Sequence, residues 1–261
     1  MVKKYFRLMI LHFSLILVVL LPDSIALNND SSLKLYLAFD EENGKIAKDH
    51  SKSRLEGRLS GKAKFVKNGR FGGALSLEDS NSLVQLPATD ELNITKSITI
   101  AAWIFPLVNQ KDSNVIGRRT AANVGGYCIQ WSGLGAVAKV ETWIGLPVWQ
   151  GTRNLQKTEP KLEKWHHVVA IYDGNEIKQY VNGKLDAYLK IPDREIASQK
   201  VELHIGKAQT GLPGIVGKID EVAIYDRALT KDEIKSDMQK GVFFSVEPSE
   251  KLATKWATLK R

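Results

Sequence analysis

Trp165-His166-His167-Val168-Val169-Ala170-Ile171-Tyr172-Asp173-Gly174 is followed by Tyr180-Val181-Asn182-Gly183-Lys184, and then by Gly217-Lys218-Ile219-Asp220-Glu221-Val222-Ala223-Ile224-Tyr225-Asp226-Arg227-Ala228-Leu229-Thr230. β-Branched and aromatic runs are broken here by Asp-Gly and Asn-Gly, pairs that supply positive φ at little steric cost. Strands at 168–172, 176–181 and 185–189, joined by those two turns, predict a three-stranded antiparallel meander. Residues 215–225 read as one long strand. Its Ile219 is out of phase with Val222 and Ile224, so either both faces are covered or a bulge intervenes. Thr230 and Glu233 form a capping box, Leu229 and Ile234 stand where a hydrophobic staple would, and Gly241 closes the only convincing helix.

Outward from this stretch the same grammar repeats. Leu33, Leu35, Leu37 and Phe39 alternate with Lys34, Tyr36 and Ala38, the pattern of a half-buried strand. Residues 82–86 and 97–105 are further strands, stopped by Pro87 and Pro106, and residues 201–205 form another before Gly206. Turn signals at intervals of about 8–12 residues indicate a sandwich or barrel.

The N-terminus is set apart from this pattern. Lys3, Lys4 and Arg7 precede an apolar run at residues 8–21, and Ser24-Ile25-Ala26 presents small residues to a peptidase. Residues 1–26 therefore read as a signal peptide cleaved after Ala26. The run is shorter than the ~20 residues of a spanning helix, which argues against an N-terminal membrane anchor. Loss of three cations and one acid lowers the net charge from +8 to about +6. The lysines are scattered, so solubility explains this charge as well as adhesion to acidic polymers does. No arginine-rich arm, zinc spacing or RNA-binding aromatic motif points to nucleic acid. Cys128 is the single cysteine, so no internal disulfide can form, and its place between Tyr127 and Ile129 suits a buried, inert thiol.

Further matching segments are Phe39-Asp40, residues 97–104 with Trp103 and Pro106, Gly126-Tyr127 and Ile205-Gly206. Together with the stretch quoted first, they make the chain resemble the laminin-G-like jelly-roll domains of the concanavalin A-like lectin/glucanase superfamily, in their secreted bacterial form. The resemblance spans about residues 33–241. It implies an all-β, two-sheet antiparallel jelly-roll sandwich with one short C-terminal helix. The domain is expected over residues 27–244, with a tail over 245–261. The resemblance also implies a groove on the concave sheet for sugars or partner proteins, and a calcium ion bridging the first strand to a C-terminal one.

Glycosidases need two carboxyls flanking the scissile bond, and hydrolases of this superfamily carry them as alternating acids on one strand. Here Asp40-Glu41-Glu42 and Asp220-Glu221 are adjacent instead, so no catalytic residues are assigned. His166 and His167 point to opposite faces of a strand and cannot readily share an ion; one is expected beside Trp165 and the other in solvent. Asp40, Asp220 and Asp49 are the candidate calcium ligands, hard oxygen donors near Asn43 and Gly44; capping of turns is the competing account. Trp103 and Trp165 are assigned to packing. Trp131, Trp143 and Trp149, with Arg153, are the candidate ligand-binding residues, because indoles beside polar groups can stack on a pyranose ring or anchor a protein. Core packing is the competing account, and the stronger one for Trp131. The expected function is an exported, non-catalytic module, secreted or envelope-associated, binding a polysaccharide or glycoconjugate. An extracellular protein partner or an envelope-structural role comes next, and a glycan hydrolase or lyase third.

Overall fold

Residues that alternate between apolar and polar can bury one face only by stacking sheet on sheet. The structure, a computed structural model, describes residues 30–120, 125–134, 137–146, 148–191 and 193–242. The expected signal peptide and C-terminal tail lie outside the described residues. In chain order the strands are β1 (Leu33–Leu37), β2 (Ile46–Lys48), β3 (Glu56–Ser60), β4 (Lys64–Val66), β5 (Ala74–Leu77), β6 (Leu83–Leu86), β7 (Ile98–Pro106) and β8 (Ser113–Arg118). They continue with β9 (Gly126–Leu134), β10 (Val137–Gly145), β11 (Trp149–Gly151), β12 (His166–Tyr172), β13 (Glu176–Val181), β14 (Lys184–Lys190), β15 (Leu203–Gly206) and β16 (Gly217–Tyr225), before the helix α1 (Lys231–Lys240).

Two eight-stranded sheets result. The first runs β14-β13-β12-β7-β16-β5-β4, with β1 also paired to β16; the second runs β11-β10-β9-β8-β15-β6-β3-β2. The pairings between these strands are antiparallel. Leu35, Leu37, Ile100, Ile129, Trp131, Val168, Ile205 and Ile224 are among the side chains filling the space between the sheets. The predicted meander is β12-β13-β14, with Asn182 at φ 51° and Gly183 at φ 74° in its second turn.

The first sheet is buried on both faces where the helix segment covers it, which the alternation in β1 did not suggest. Leu33, Tyr36 and Ala38 pack outward with Ala101, Val169 and Tyr225 against Leu229 and Ile234 of the helix segment. The capping box of Thr230 and Glu233 is present, so the helix starts where the sequence places it. The phase problem in β16 is a bulge. Asp220 pairs with Trp103 and Ala223 with Ala101, leaving one extra residue, and Glu221 takes φ 53°. The bulge keeps Ile219, Val222 and Ile224 in the same core. It also divides the strand, whose start pairs with β5 and whose end pairs with β1.

The expectation of one solvated histidine fails, since His166 and His167 are both buried. His166 Nε2 lies 2.8 Å from the Lys161 carbonyl and its Nδ1 lies 3.3 Å from Asn182 Nδ2, a set met by the tautomer protonated at Nε2. His167 is buried against Trp103, ring centres 5.2 Å apart, and Trp103 in turn meets Phe71 and the Arg70 guanidinium. Trp103 therefore packs as predicted, but on the outer face of the first sheet. Trp165 is half-buried against Phe105.

A buried polar network ties the two sheets together at one end. Gln179 Oε1 accepts the Thr142 and Thr152 hydroxyls, both at 2.9 Å. Gln179 Nε2 donates to the Val140 carbonyl at 2.9 Å and to Asp186 Oδ2 at 2.7 Å. Asp186 Oδ1 accepts the Lys157 and Thr158 amides at 3.1 and 2.6 Å, so the long connection after β11 is held against the sandwich.

Two predictions follow from these contacts. Gln179→Leu strands the Asp186 carboxylate and two hydroxyls, so urea unfolding should show a loss on the order of 2–3 kcal/mol; a loss within error rejects the network as a tether. Burial, reinforced by Arg70, pushes His167 down to about 3 from 6.5. The unfolded chain thus binds more protons within that window, so stability is full above pH 6.5 and declines as pH falls toward 3. The ceiling is about 1.4 kcal/mol per pH unit. His167→Gln should flatten the pH dependence of the melting temperature over this range, and an unaltered slope refutes the assignment.

Candidate functional site

The inner core dictates what the outer face of the second sheet can display. On β9, Tyr127, Ile129 and Trp131 point inward, so Cys128, Gln130 and Ser132 point outward. On β10, Ala138, Val140 and Ile144 point inward, leaving Lys139, Glu141 and Trp143 outside. Cross-strand register then places one row of side chains on this face: Gly151, Trp143, Cys128, Gly117, His204, Gln85 and Arg58. The centre of the row is small, thiol and glycine, between an indole on one side and polar groups on the other. Gly151 has a steric reason: a Cβ there would stand 2.5 Å from Trp143 Cε3.

Two adjoining cavities open beside the Trp143 end. One of about 260 Å³ is bordered by Trp143, Trp149, Arg119, Gln130 and Asp112; the other, about 650 Å³, by Ser132, Lys139, Glu141, Asn154 and Gln156. Arg153 borders both. Volume alone does not single them out. A cavity of about 340 Å³ near Asp90, Glu91, Asn93 and Lys34 has no aromatic ring in its lining.

Arg153 organises the wall between the two cavities. Its Nε donates to both oxygens of Glu141 at 3.0 Å, and Nη2 donates to Glu141 Oε2 at 2.8 Å and to Asp112. These carboxylates hold the guanidinium above its ordinary pKa, the Glu141 hydrogen bonds being the main cause. Trp143 Nε1 also donates to Glu141 Oε2 at 3.1 Å, and the Arg153 guanidinium stands 5.3 Å from the indole centre. Arg119 stacks in the same way on Trp149, at 4.6 Å. Both indoles are half-buried, each with a cation on one face.

Three of the four candidate ligand-binding residues therefore converge. Trp131 does not. It is 0% exposed and belongs to the inter-sheet core, because its position on β9 has the opposite parity to Gln130 and Ser132. The connection at 145–164 forms one wall of the groove through β11, Arg153, Asn154 and Gln156. Arg119, Asp112 and Cys128 were not singled out for the site from sequence. Lys139, Glu141 and Trp143 alternate visibly along β10, but Arg119 and Asp112 reach the site only through the pairing of β8 with β9.

The candidate metal ligands divide. Asp220 Oδ2 accepts the Arg70 and Phe71 amides at 2.7 and 3.0 Å, and Asp40 Oδ1 accepts the Gly73 amide at 2.6 Å, so both grip the turn at 68–73. Burial pushes Asp220 up to about 8 and neighbouring Glu221 up to about 7. Asp49 shares none of these partners. It accepts the Tyr36, Ser51 and Leu55 amides and the Ser51 hydroxyl, which is the work of a turn cap. Calcium takes about six to eight oxygens. Among the described residues no group of three or more His, Cys, Asp or Glu side chains is disposed to hold a metal. Two carboxylates at this turn suit calcium by chemistry, and an ion there would draw the rest of its ligands from backbone carbonyls.

Comparison with known proteins places this fold. Domain 4 of AbnA, a GH43 extracellular arabinanase from Geobacillus stearothermophilus, in complex with arabinotriose, is similar in fold. The TM-score is 0.65 at 20% identity, over 80% of this chain and 98% of that one. The binding domain of Paraclostridial Mosquitocidal Protein 1 gives a TM-score of 0.61 at 16% identity, over 79% of this chain and 52% of that one. The binding domain of botulinum neurotoxin DC in complex with rat synaptotagmin II gives 0.59 at 17% identity, over 80% and 52%. This chain thus spans about half the length of the two toxin binding domains. No curated protein matches in sequence. Residues 78–235 match the model of the Laminin_G_3 family, and the chain accordingly belongs to that family of the concanavalin A-like lectin/glucanases superfamily.

Proposed function

We propose that this protein is an exported, non-catalytic carbohydrate-binding module whose ligand lies on the outer face of the second sheet. The observation that carries the reading is the pair of half-buried indoles, Trp143 and Trp149, set around the Arg153–Glu141–Asp112 ion cluster. An indole face binds the apolar face of a sugar ring, while fixed polar groups beside it select hydroxyl geometry. Arg153 holds that polar array rigid, so little ordering remains to be done on binding. The fold relative from the arabinanase, a complex with arabinotriose, supports such a use of the sandwich.

The same cluster speaks against hydrolysis. A glycosidase leaves the space between its two carboxyls for the glycosidic oxygen and a water or sugar carbon. Here the Arg153 guanidinium occupies the space between Glu141 and Asp112 and accounts for both carboxylates. Export and a surface or extracellular location are part of the proposal, resting on the leader-like residues 1–26. Among the described residues no helix is long and apolar enough to cross a membrane. A protein partner is the second reading. It is favoured by half-buried Phe71, Phe105 and Trp165 on the outer face of the first sheet, near Leu107, which is 43% exposed.

On the carbohydrate reading, Trp143→Ala and Trp149→Ala each weaken binding on a glycan array by about tenfold, while Phe105→Ala leaves it unchanged. Unchanged binding in both tryptophan variants eliminates this groove. Calcium belongs to the proposal as a structural ion held by Asp40 and Asp220. The melting temperature should rise with millimolar calcium and return with a chelator, and Asp40→Asn should abolish the response. A melting temperature indifferent to calcium ends that part of the proposal.

A further inference from the structure

The second arginine of the groove is unlike the first. Arg153 is matched by two carboxylates, whereas Arg119 makes no ion pair among the described residues. A guanidinium carries five N–H donors. Those of Arg119 find one acceptor among the described residues, the Cys128 sulfur at 3.3 Å from Nη1, and Nε is buried without a partner. A thiol is a weak acceptor, and burial pushes the Cys128 pKa up, so the thiol supplies no counter-charge. The Arg119 guanidinium is also positioned, by its stacking on Trp149, at the edge of the smaller cavity. Gln156 Nε2, in the lining of the larger cavity, is a second buried donor without a partner among the described residues. Arg119, Arg153, Lys111 and Lys139 line the two cavities beside Asp112 and Glu141, and with Glu159, the ion-pair partner of Lys139, counted in, four cations still face three carboxylates.

We infer that the sugar chain accepted by this groove is acidic, with the carboxylate of a uronic acid unit placed against the Arg119 guanidinium. The inference rests on the carbohydrate reading above and narrows it to a substrate class. A planar fork of N–H donors matches a carboxylate in a bidentate pair, and desolvation beside Trp149 strengthens that pair. A neutral sugar would leave the Arg119 charge without a partner at the edge of the cavity. Trp149 serves two purposes here: it fixes the guanidinium by stacking and it lines the cavity that takes the sugar.

The test is calorimetric titration of the full chain with four probes: oligogalacturonate, its methyl ester, a sulfated oligosaccharide and neutral arabinan fragments. The acid should bind on the order of tenfold to a hundredfold more tightly than its ester. Arg119→Gln should erase that difference, the acid falling to the affinity of the ester in the same variant. Arg119→Lys should retain part of it, which covers the case in which the glutamine variant fails to fold. Equal affinity for acid and ester, insensitive to either variant, overturns the acidic assignment while the carbohydrate reading stands. Tighter binding of the sulfated probe, lost in the same variants, overturns the carboxylate in favour of sulfate. Binding of none of the four overturns the carbohydrate reading and this inference with it.

Discussion

Everything on the outer face of the second sheet depends on the inter-sheet core. Two sheets that bury Ile129, Trp131, Val140 and Ile144 between them leave no freedom in where the intervening residues point. Side chains on a strand alternate with period two, so the choice of Trp131 for the core places Gln130 and Ser132 outside. The choice of Ile144 does the same for Trp143. A one-residue slip of β10 would exchange the indole and the isoleucine and abolish the groove. The large buried area of this core thus acts as a constraint on function: it sets the parity of each groove residue before any ligand is considered.

The rim of the groove depends on a different force. β11 is a three-residue edge strand, too short to hold its position by backbone pairing alone. What secures the connection that carries Arg153 and Gln156 is the satisfied polar network of Thr142, Thr152, Gln179 and Asp186, which is buried and reaches the first sheet. Such a network is specific because each member loses its partners if the connection shifts. Arg153 then locks Glu141 and Asp112, and Gly151 leaves room for the Trp143 ring to lie across the strand. A rigid wall built in this way presents polar groups at fixed positions, as the proposed binding of a hydroxyl-rich ligand requires.

Inside the first sheet, the bulge at Asp220 and Glu221 lets one strand serve two neighbours. It turns Asp220 toward the turn at 68–73 and Glu221 toward the Tyr36 hydroxyl at 2.8 Å. Burial raises both carboxyls because few compensating charges reach them. The adjacent acids that look unpromising for catalysis in the sequence are thus explained as anchors of a turn and of the chain leaving α1, where Glu221 accepts the Val242 amide at 3.1 Å.

Sequence by itself determined the β content, the meander with its Asn182-Gly183 turn, the capped helix and a break of phase near Ile219, for which a bulge and two covered faces were both open. Each of these is a local preference: turn chemistry, side-chain period and helix-end hydrogen bonds act over a few residues. The half-buried Trp143 and Trp149 and the position of Arg153 were legible only as polar and aromatic residues outside the family pattern. Tertiary structure decided the rest. Strand register between segments far apart in sequence brought Cys128, Gly117 and His204 into one row and set Arg119 over Trp149. The same register sent Trp131 inward and, across the first sheet, buried both His166 and His167. Cross-strand neighbours are chosen by the packing of the whole sandwich, so no window of sequence short enough to read locally contains them.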